Sequence, residues 1–333
     1  MKKNLTPLRL PALCLAALLA LSGCGATAAG ETTSQADSAS VSSSAATQAT
    51  AATPEQTGET RTISTVMGDV EIPANPQRVV VDYVVGDVVA MGVTPVGYAN
   101  IDEGLDITQT AFGAALKDAE FIGWDYDPET VMALEPDLII LSWGEEDYEQ
   151  LSKIAPTIYV PYGEMSTEER VKLIGEALNK PEAAQQVLDD FNAKVENARQ
   201  TLTDAGIAGQ YITIAQVAEG HAWVAGNKHA VGQLLYNTMG LPVPAKVQTD
   251  IIDADQYWGD ISMELFPQYV GDYFISLGDY PPEWDTDPVV QGIPAIAEGR
   301  SFTVPTTLTW FSDISSAGAL VDLITEELVA HSK

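Results

Sequence analysis

A single apolar stripe runs along the middle of the chain, from Pro181 to Asp204. Its apolar residues recur at intervals of three and four, at Ala184, Val187, Leu188, Phe191, Val195, Ala198 and Leu202. That spacing places them on one face of an α-helix. Pro181 suits the first helical turn, and Gly206 can end the helix by adopting positive φ. The pattern predicts a helix of about 36 Å, which could be one crossover helix of a single domain or the connection between two domains.

Apolar runs on both sides of this helix predict buried strands. Residues 79–81 and 136–141 precede the helix, and residues 211–217 and 271–275 follow it. These runs are rich in aliphatic and β-branched residues and come directly after turns, which is typical of parallel strands covered on both faces. The strands therefore predict an α/β fold.

The two halves also repeat a pattern of acidic residues. Glu129 precedes Asp137 by eight residues, and Glu264 precedes Asp272 by eight residues. In each block the pair flanks a predicted short helix and the start of an apolar strand. Two matched blocks in the same order predict two α/β lobes, each with a mainly parallel central sheet, joined by the long helix.

The first 61 residues predict an export signal and a tether. A basic start and an apolar run over 10–21 are typical of a signal peptide, and the run is too short for a transmembrane helix. It ends in Leu-Ser-Gly-Cys, which resembles a bacterial lipobox, so we expect a signal peptide over 1–23 and lipidation of Cys24. The stretch 24–61, rich in Ala, Ser and Thr, predicts a flexible spacer.

The charge composition of the chain limits the kinds of molecule that it can bind. The chain carries 47 Asp and Glu against 16 Lys and Arg, a formal net charge of −31. Such a negative surface argues against binding to nucleic acid and against binding flat on an anionic membrane. It would favour cationic or neutral solutes over anionic ones, or it could simply keep the protein soluble. The two cysteines are Cys14 and Cys24, so residues beyond the spacer offer neither a disulfide nor a thiolate.

Several segments in order resemble one known family over residues 62 to about 330. They are IPANPQRVVV, PETVMALEPDLIILSWG, GHAWVAGNKHAVGQLLYNTMGLPVP and ISMELFPQYVGDYFISL. These segments are similar to the iron-siderophore substrate-binding proteins of ABC importers. The resemblance implies an N-terminal lobe over 62–178, a connecting helix over 179–205 and a C-terminal lobe over 206–333. It places the ligand, a ferric siderophore, in the cleft between the lobes.

The resemblance also implies a membrane partner. Members of the family dock on arginines of an ABC permease, coupled to its ATPase, through one acidic residue on each lobe. Glu129 and Glu264 match those positions, although a Glu at a helix N-terminus can instead complement the helix dipole. We expect a monomer at the extracytoplasmic face of the bacterial cell membrane, attached through its lipid anchor only.

Aromatic residues follow the predicted strand ends, where open α/β sheets bind ligands. The candidate ligand contacts are Trp223, Trp310, Trp124, Trp143, Tyr83, Tyr126, Tyr162, Tyr280, Phe311 and His221. Trp223 and Trp310 rank first, because the resemblance places aromatic contacts of hydroxamate binders there. Asp82 is a further strand-end candidate.

Basic residues are scarce at the same strand ends, and Lys228 is the nearest of them. This departs from catecholate and carboxylate siderophore binders, which hold highly anionic chelates with several Lys or Arg. It favours a neutral or cationic ferric complex, such as a trihydroxamate.

Other functions stay open on the sequence. Haem could bind through His221 and a second ligand, cobalamin would suit the same fold, and a receptor that senses its ligand without delivering it would have the same fold. His221 and His229 lie eight residues apart, a spacing without a metal signature, so we expect no directly bound metal and no cofactor. The chain lacks hydrolase, zinc-protease and P-loop motifs and a complete dinucleotide fingerprint, so we expect no enzyme.

Overall fold

The computed structural model describes residues 58–99, 105–124, 126–218 and 220–332. The predicted signal peptide, the predicted lipidation site Cys24 and the predicted spacer up to residue 57 lie outside these ranges.

The first half folds around a parallel sheet. An antiparallel hairpin comes first, formed by β1 (Thr60–Thr65) and β2 (Gly68–Pro73). The sheet strands are β3 (Val79–Val81), β4 (Gly97–Tyr98), β5 (Glu120–Phe121), β6 (Leu138–Leu141) and β7 (Thr157–Tyr159). They lie in the order β5-β4-β3-β6-β7, and every neighbouring pair is parallel. All residues of β3 and β6 are buried, as their continuous apolar sequences predict.

The second half folds around a mixed sheet. Its strands are β8 (Ile212–Ala218), β9 (His221–Ala225), β10 (Trp258–Ser262), β11 (Tyr273–Leu277) and β12 (Ser301–Val304). They lie in the order β10-β9-β8-β11-β12. The pairs among β8, β11 and β12 are parallel, whereas β9 and β10 add two antiparallel pairs.

Helices connect and cover these strands. The α-helices are α1 (Val85–Ala90), α2 (Pro128–Ala133), α3 (Tyr148–Leu151), α4 (Thr167–Ala177), α5 (Pro181–Asp204), α6 (Ala230–Gly232), α7 (Ala245–Val247), α8 (Pro288–Gln291), α9 (Pro294–Ala297), α10 (Thr306–Thr309) and α11 (Ile314–Ala330). Wider π-helical turns continue α6 over Gln233–Thr238 and α7 over Gln248–Ile252. The arrangement confirms the predicted class, an α/β protein with two sheets joined by one long helix.

Helix α5 matches its predicted bounds. Its stripe is buried, apart from the half-buried Val187, and packs in the core that both sheets share. Gly206 ends the helix at φ +75°, where a side chain would be strained. The N–H groups of Gly206 and Ile207 donate to the carbonyls of Thr203 and Leu202. These bonds satisfy carbonyls that the helix end would otherwise leave open, so local chemistry fixes where α5 stops.

A buried ionic contact joins the two halves a second time. Asp87 on α1 accepts a hydrogen bond of 2.7 Å from Arg170 Nε on α4, and one of 2.7 Å from the N–H of Ile314 on α11. Asp313 caps the same end of α11 by accepting the N–H of Ser316 at 2.8 Å. Because α1 and α4 belong to the first half and α11 follows the second sheet, this contact restrains the two halves independently of the chain connection through α5.

The repeated acidic blocks have a structural counterpart. Asp137 accepts hydrogen bonds from the N–H groups of Gln77 and Arg78, at 2.7 and 2.8 Å, just before β3. Asp272 accepts one of 2.8 Å from the N–H of Tyr211, just before β8. Each Asp ties the entries of two neighbouring parallel strands together, which gives the spacing found in the sequence a physical cause.

Candidate ligand-binding cleft

A cleft of about 390 Å³ is lined by residues from both halves of the chain. The first half contributes Tyr83, Trp124, Trp143 and Tyr162, and the second contributes Gln216, His229, Tyr257, Trp258, Leu277, Thr306, Thr309 and Trp310. Most of these side chains are aromatic, and no Asp, Glu, Lys or Arg is among the described residues that line the cleft. The surface is therefore apolar with neutral hydrogen-bonding groups.

Parallel strands deliver most of the first-half residues. Tyr83, Trp143 and Tyr162 come two or three residues after the ends of β3, β6 and β7. Carboxyl ends of parallel strands meet at one edge of a sheet, which is where open α/β sheets bind ligands. Sequence-based placement of these aromatics agrees with their position on the cleft wall.

Asp82 supports the cleft wall from behind. It is fully buried, and its carboxylate accepts hydrogen bonds from the N–H groups of Ser142, at 2.8 Å, and Trp143, at 2.9 Å. The Ser142 hydroxyl donates a third bond. These bonds hold the segment that carries Trp143. The carboxylate that the sequence suggested as a ligand contact is thus a backbone anchor.

Tyr83 is the centre of the first-half aromatic cluster. Its ring centroid lies 6.4 Å from Trp124, 6.0 Å from Trp143 and 5.7 Å from Tyr162. Burial, followed by Tyr162 and Asp82, raises the pKa of Tyr83 well above its ordinary value. Burial also raises the pKa of Tyr162, to about 12. Both phenols are therefore neutral hydrogen-bond donors at physiological pH.

Two aromatic contacts join the halves at the cleft. Tyr162 stacks on Tyr257 with centroids 5.6 Å apart, and Trp124 meets Trp310 at 5.9 Å with an interplanar angle of 67°. Gly163 allows the first contact, because a Cβ at that position would lie 3.0 Å from the Tyr257 ring. Offset and edge-to-face contacts of this kind are favourable, so they help hold the two walls at this separation.

The structure places three of the predicted contacts away from the cleft lining, two in the protein core and one against it. Tyr126 is 7% exposed, and burial raises its pKa well above the ordinary value. Phe311 is buried and packs on Phe112 at 4.8 Å, because adjacent residues point in different directions and Trp310 takes the cleft side. Tyr280 is half-buried and stacks on Trp284 at 5.5 Å, against the core of the second half.

Trp223 and His221 lie on β9, beyond the cleft lining. Trp223 pairs across the sheet with Gln216, so both side chains are on one face, and Gln216 reaches the cleft. The His221 ring stacks on Trp223 with centroids 6.1 Å apart, and its Nδ1 lies 2.7 Å from Oδ1 of Asp260. The structure therefore puts Trp223 and His221 on a surface continuous with a cleft residue, whereas Trp310 lines the cleft directly.

Sequence reasoning missed most residues that the second half contributes. Leu277 and Thr306 lie at the end of β11 and two residues after β12, so the strand-end rule applied evenly would have found them. Gln216 lies inside β8, two residues before its end, and that rule does not reach it. Tyr257 and Trp258 lie just before and at the start of β10. There, Trp258 pairs with Ala225 at the end of β9. β9 and β10 are antiparallel neighbours separated by residues 226–257, so the rule for the ends of parallel strands does not reach these two aromatics.

The described cleft lining contains neither a Lys or Arg side chain nor a metal-binding cluster. Lys228, the nearest base by sequence, forms an ion pair of 2.8 Å with Asp255 and does not line the cleft. Among the described residues, no group of three or more His, Cys, Asp or Glu side chains could hold a metal ion. No helix in that part of the chain is both long and apolar enough to cross a membrane.

The two acidic residues proposed for docking are both exposed. Glu129 lies in the first turn of α2, where it also complements the helix dipole. Glu264 lies in a turn between β10 and the 3-10 helix Phe266–Gln268, not at the start of the helix that its sequence predicted. The dipole explanation therefore applies to Glu129 and not to Glu264.

Known proteins resemble this chain in sequence or in fold over most of their length. The iron(3+)-hydroxamate-binding protein YxeB of Bacillus subtilis is 29% identical over 346 residues, which span 100% of this chain and 99% of the relative. The FhuD protein from S. pseudintermedius has a TM-score of 0.70 at 22% identity, covering 82% of this chain and 99% of its own. FhuD2 from Staphylococcus aureus with bound ferrioxamine B has a TM-score of 0.67 at 20% identity, covering 77% and 100%.

These structural likenesses establish the fold. A family model described as periplasmic binding protein matches residues 122–308, which is more than half of the chain and includes residues from both walls of the cleft. The chain therefore belongs to the periplasmic binding protein family.

Proposed function

We propose that this protein is the extracytoplasmic receptor of an ABC importer, which binds a ferric siderophore of the hydroxamate type in the cleft and delivers it to the permease. One observation carries the choice of ligand. The cleft is walled by aromatic rings from both halves, and the described lining residues include no charged side chain.

The chemistry of ferric hydroxamates suits such a cleft. Three hydroxamates neutralise Fe³⁺, so the complex has no net charge of its own and an organic skeleton that aromatic rings can cover. A ferric triscatecholate carries three negative charges, and burying it without cationic partners would cost far more. A cleft of about 390 Å³ is also within the range of small-molecule sites.

The names of similar proteins support the same ligand class. YxeB is named as an iron(3+)-hydroxamate-binding protein, and the FhuD2 structure contains ferrioxamine B. Ferrioxamine B is a trihydroxamate with a pendant ammonium group, so its ferric complex is cationic. It is therefore the first ligand to test on this chain.

Delivery of the siderophore requires a membrane permease as partner and a receptor held at the outer face of the cell membrane. Exposed Glu129 and Glu264 would dock on basic residues of the permease, which works with an ATPase. Lipidation of Cys24 would hold a monomer at the outer face of the cell membrane, with the spacer lifting residues 62–178, 179–205 and 206–333 away from it. The receptor itself would have no enzymatic activity and no cofactor.

The experiment is a titration of tryptophan fluorescence in the purified chain. Ferrioxamine B loaded with Fe³⁺ should quench with micromolar affinity or better, because several tryptophans line the cleft. Ferric triscatecholate, ferric citrate, haem and cobalamin should bind more weakly. Failure of every ferric hydroxamate to bind would disprove the proposed ligand, and preferential binding of haem or cobalamin would establish those alternatives. A sensing role would be indicated if binding occurred but the chain did not support uptake.

A further inference from the structure

His229 is a buried histidine in the wall of the cleft. Its side chain is 6% exposed, and its ring lies 4.2 Å from the ring of Trp258 and 6.1 Å from that of Tyr257. Both neighbours also line the cleft. The backbone and these rings fix the orientation of the imidazole, so His229 presents a set direction to a ligand.

Local hydrogen bonding fixes the tautomer of this imidazole. His229 precedes α6, and its Nδ1 accepts a hydrogen bond of 3.3 Å from the N–H of Val231. A ring nitrogen that accepts cannot carry the proton of a neutral imidazole, so the proton lies on Nε2. Nε2 has no hydrogen-bond partner among the residues that the structure describes. The cleft wall therefore contains an N–H donor that the protein itself leaves unused.

The imidazole is neutral as well as oriented. Burial lowers the pKa of His229 to about 3, far below its ordinary value. The neighbouring Lys228 is tied to Asp255 and does not line the cleft. Around His229, the nearby groups of the cleft wall are the phenol of Tyr257 and the indole of Trp258, which are neutral.

We propose that His229 is a specificity-determining residue, whose Nε2–H donates a hydrogen bond to an iron-bound oxygen of a ferric chelate that has zero or positive charge. The inference rests on the proposed function and adds the group that recognises the chelate. Iron-bound oxygens of a hydroxamate keep partial negative charge and accept hydrogen bonds. A neutral donor satisfies them without the net positive charge that an anionic chelate would require.

Two substitutions separate the donor from the structural role of the ring. In His229→Asn the amide oxygen can still accept the N–H of Val231, since Asn is a favoured residue before a helix, but the side chain is too short to place a donor at the Nε2 position. His229→Gln extends the amide to about that position. Both variants lose the ring packing, and His229→Gln also loses the acceptor for the N–H of Val231. A smaller loss of affinity in His229→Gln than in His229→Asn therefore reports on the donor.

Affinity for ferric ferrioxamine B would be measured by calorimetry. We expect about a 10-fold loss in His229→Asn and a loss of no more than about 3-fold in His229→Gln, consistent with one neutral hydrogen bond. Equal losses in the two variants, or none in His229→Asn, would overturn the inference. So would a Soret shift with haem in the wild type that is absent from His229→Asn, since Nε2 would then be an iron ligand.

A spectroscopic test uses the unaltered protein and does not depend on the stability of a variant. The chain has three histidines, so ¹⁵N-histidine labelling gives few ring resonances. Gallium ferrioxamine B, which is diamagnetic and carries the same charge, should shift the Nε2–H resonance of His229 and leave its Nδ1 unprotonated. Tight binding with no change at Nε2 would overturn this inference alone. Absence of binding by every hydroxamate complex would overturn the proposed function, and the inference with it.

Discussion

The carboxylate of Asp82 accepts a hydrogen bond of 2.9 Å from the backbone N–H of Trp143. A residue directly after β3 therefore positions a cleft aromatic that lies just after β6. The carboxylate is fully buried and takes two further bonds from Ser142. The rigidity of the first-half wall therefore depends on a group that does not touch the cleft.

Replacing Asp82 by Asn should loosen this wall. The amide would present an N–H₂ group to backbone donors, and at least one buried N–H would lose its acceptor. We expect a fall of about 2–3 kcal/mol in the free energy of unfolding, measured with urea, and weaker binding of ferrioxamine B by calorimetry. Asp118→Asn is the matched control, because its carboxylate is exposed and, among the described residues, pairs with Lys117 alone, at 3.8 Å. Unchanged stability and affinity in Asp82→Asn would contradict the anchoring role.

Asp313 should give the protein a distinctive pH dependence of stability. Burial, followed by the charge of Asp87, raises the pKa of Asp313 from its ordinary 3.8 to about 7. The folded state thus keeps a proton that the unfolded state releases above about pH 4. Stability from this group is fully present below the unfolded pKa and is lost as pH rises towards 7, by at most about 1.4 kcal/mol per pH unit.

Asp313→Asn removes this titration and keeps a side-chain oxygen that can accept the N–H of Ser316. Urea unfolding of both proteins between about pH 4 and about pH 8 should show the variant gaining stability relative to the wild type as pH rises. The comparison between the two proteins cancels the other carboxylates, apart from Asp87 and Arg170, which contact this site. A difference that stays constant over the whole range would contradict the assignment.

Trp310 should contribute more to ligand affinity than Trp223. Trp310 lines the cleft and meets Trp124 across it, whereas Trp223 lies on β9 outside the lining. We expect Trp310→Ala to weaken ferrioxamine B binding about 10- to 100-fold, and Trp223→Ala by less than about 3-fold. Calorimetry is the appropriate measurement, since each variant removes a fluorophore. Equal losses would mean that the ligand extends from Gln216 along the face of β9.

The sequence was most informative where local chemistry decides the structure. The bounds of α5 followed from Pro181, Gly206 and one apolar stripe, which act over a few residues. The first-half aromatics followed from the strand-end rule, because every strand pair in that sheet is parallel. These features need no knowledge of distant contacts.

The sequence was least informative where the chain reverses. The sequence predicts that residues 261–264 open the short helix before Asp272, but β10 extends to Ser262 and pairs with β9. Only a 3-10 helix over Phe266–Gln268 follows, so tertiary pairing prevailed over local preference. The same antiparallel pairing of β9 and β10 places Trp258 in the cleft from the start of a strand. The choice of Trp310 over Phe311 likewise depends on side-chain direction, which adjacent aromatic residues do not reveal in sequence.

Glu129 and Glu264 should be required for uptake and dispensable for binding. Neither residue lines the cleft, and both are exposed. The double variant Glu129→Ala with Glu264→Ala should lose permease-dependent uptake of ferrioxamine B in cells, because two carboxylates on separate lobes would fix the orientation of the complex. Its affinity for ferrioxamine B should stay within about 2-fold of the wild type, a change below about 0.4 kcal/mol.

The matched control for docking is Glu182→Ala with Glu326→Ala, which removes the same charge from exposed positions on α5 and α11. It should retain uptake, since a charge effect spread over the whole surface would affect both double variants alike. Equal loss of uptake in the control would show that net charge, and not two docking positions, governs delivery. A loss of ligand affinity in Glu129→Ala with Glu264→Ala would instead place these carboxylates in the support of the cleft.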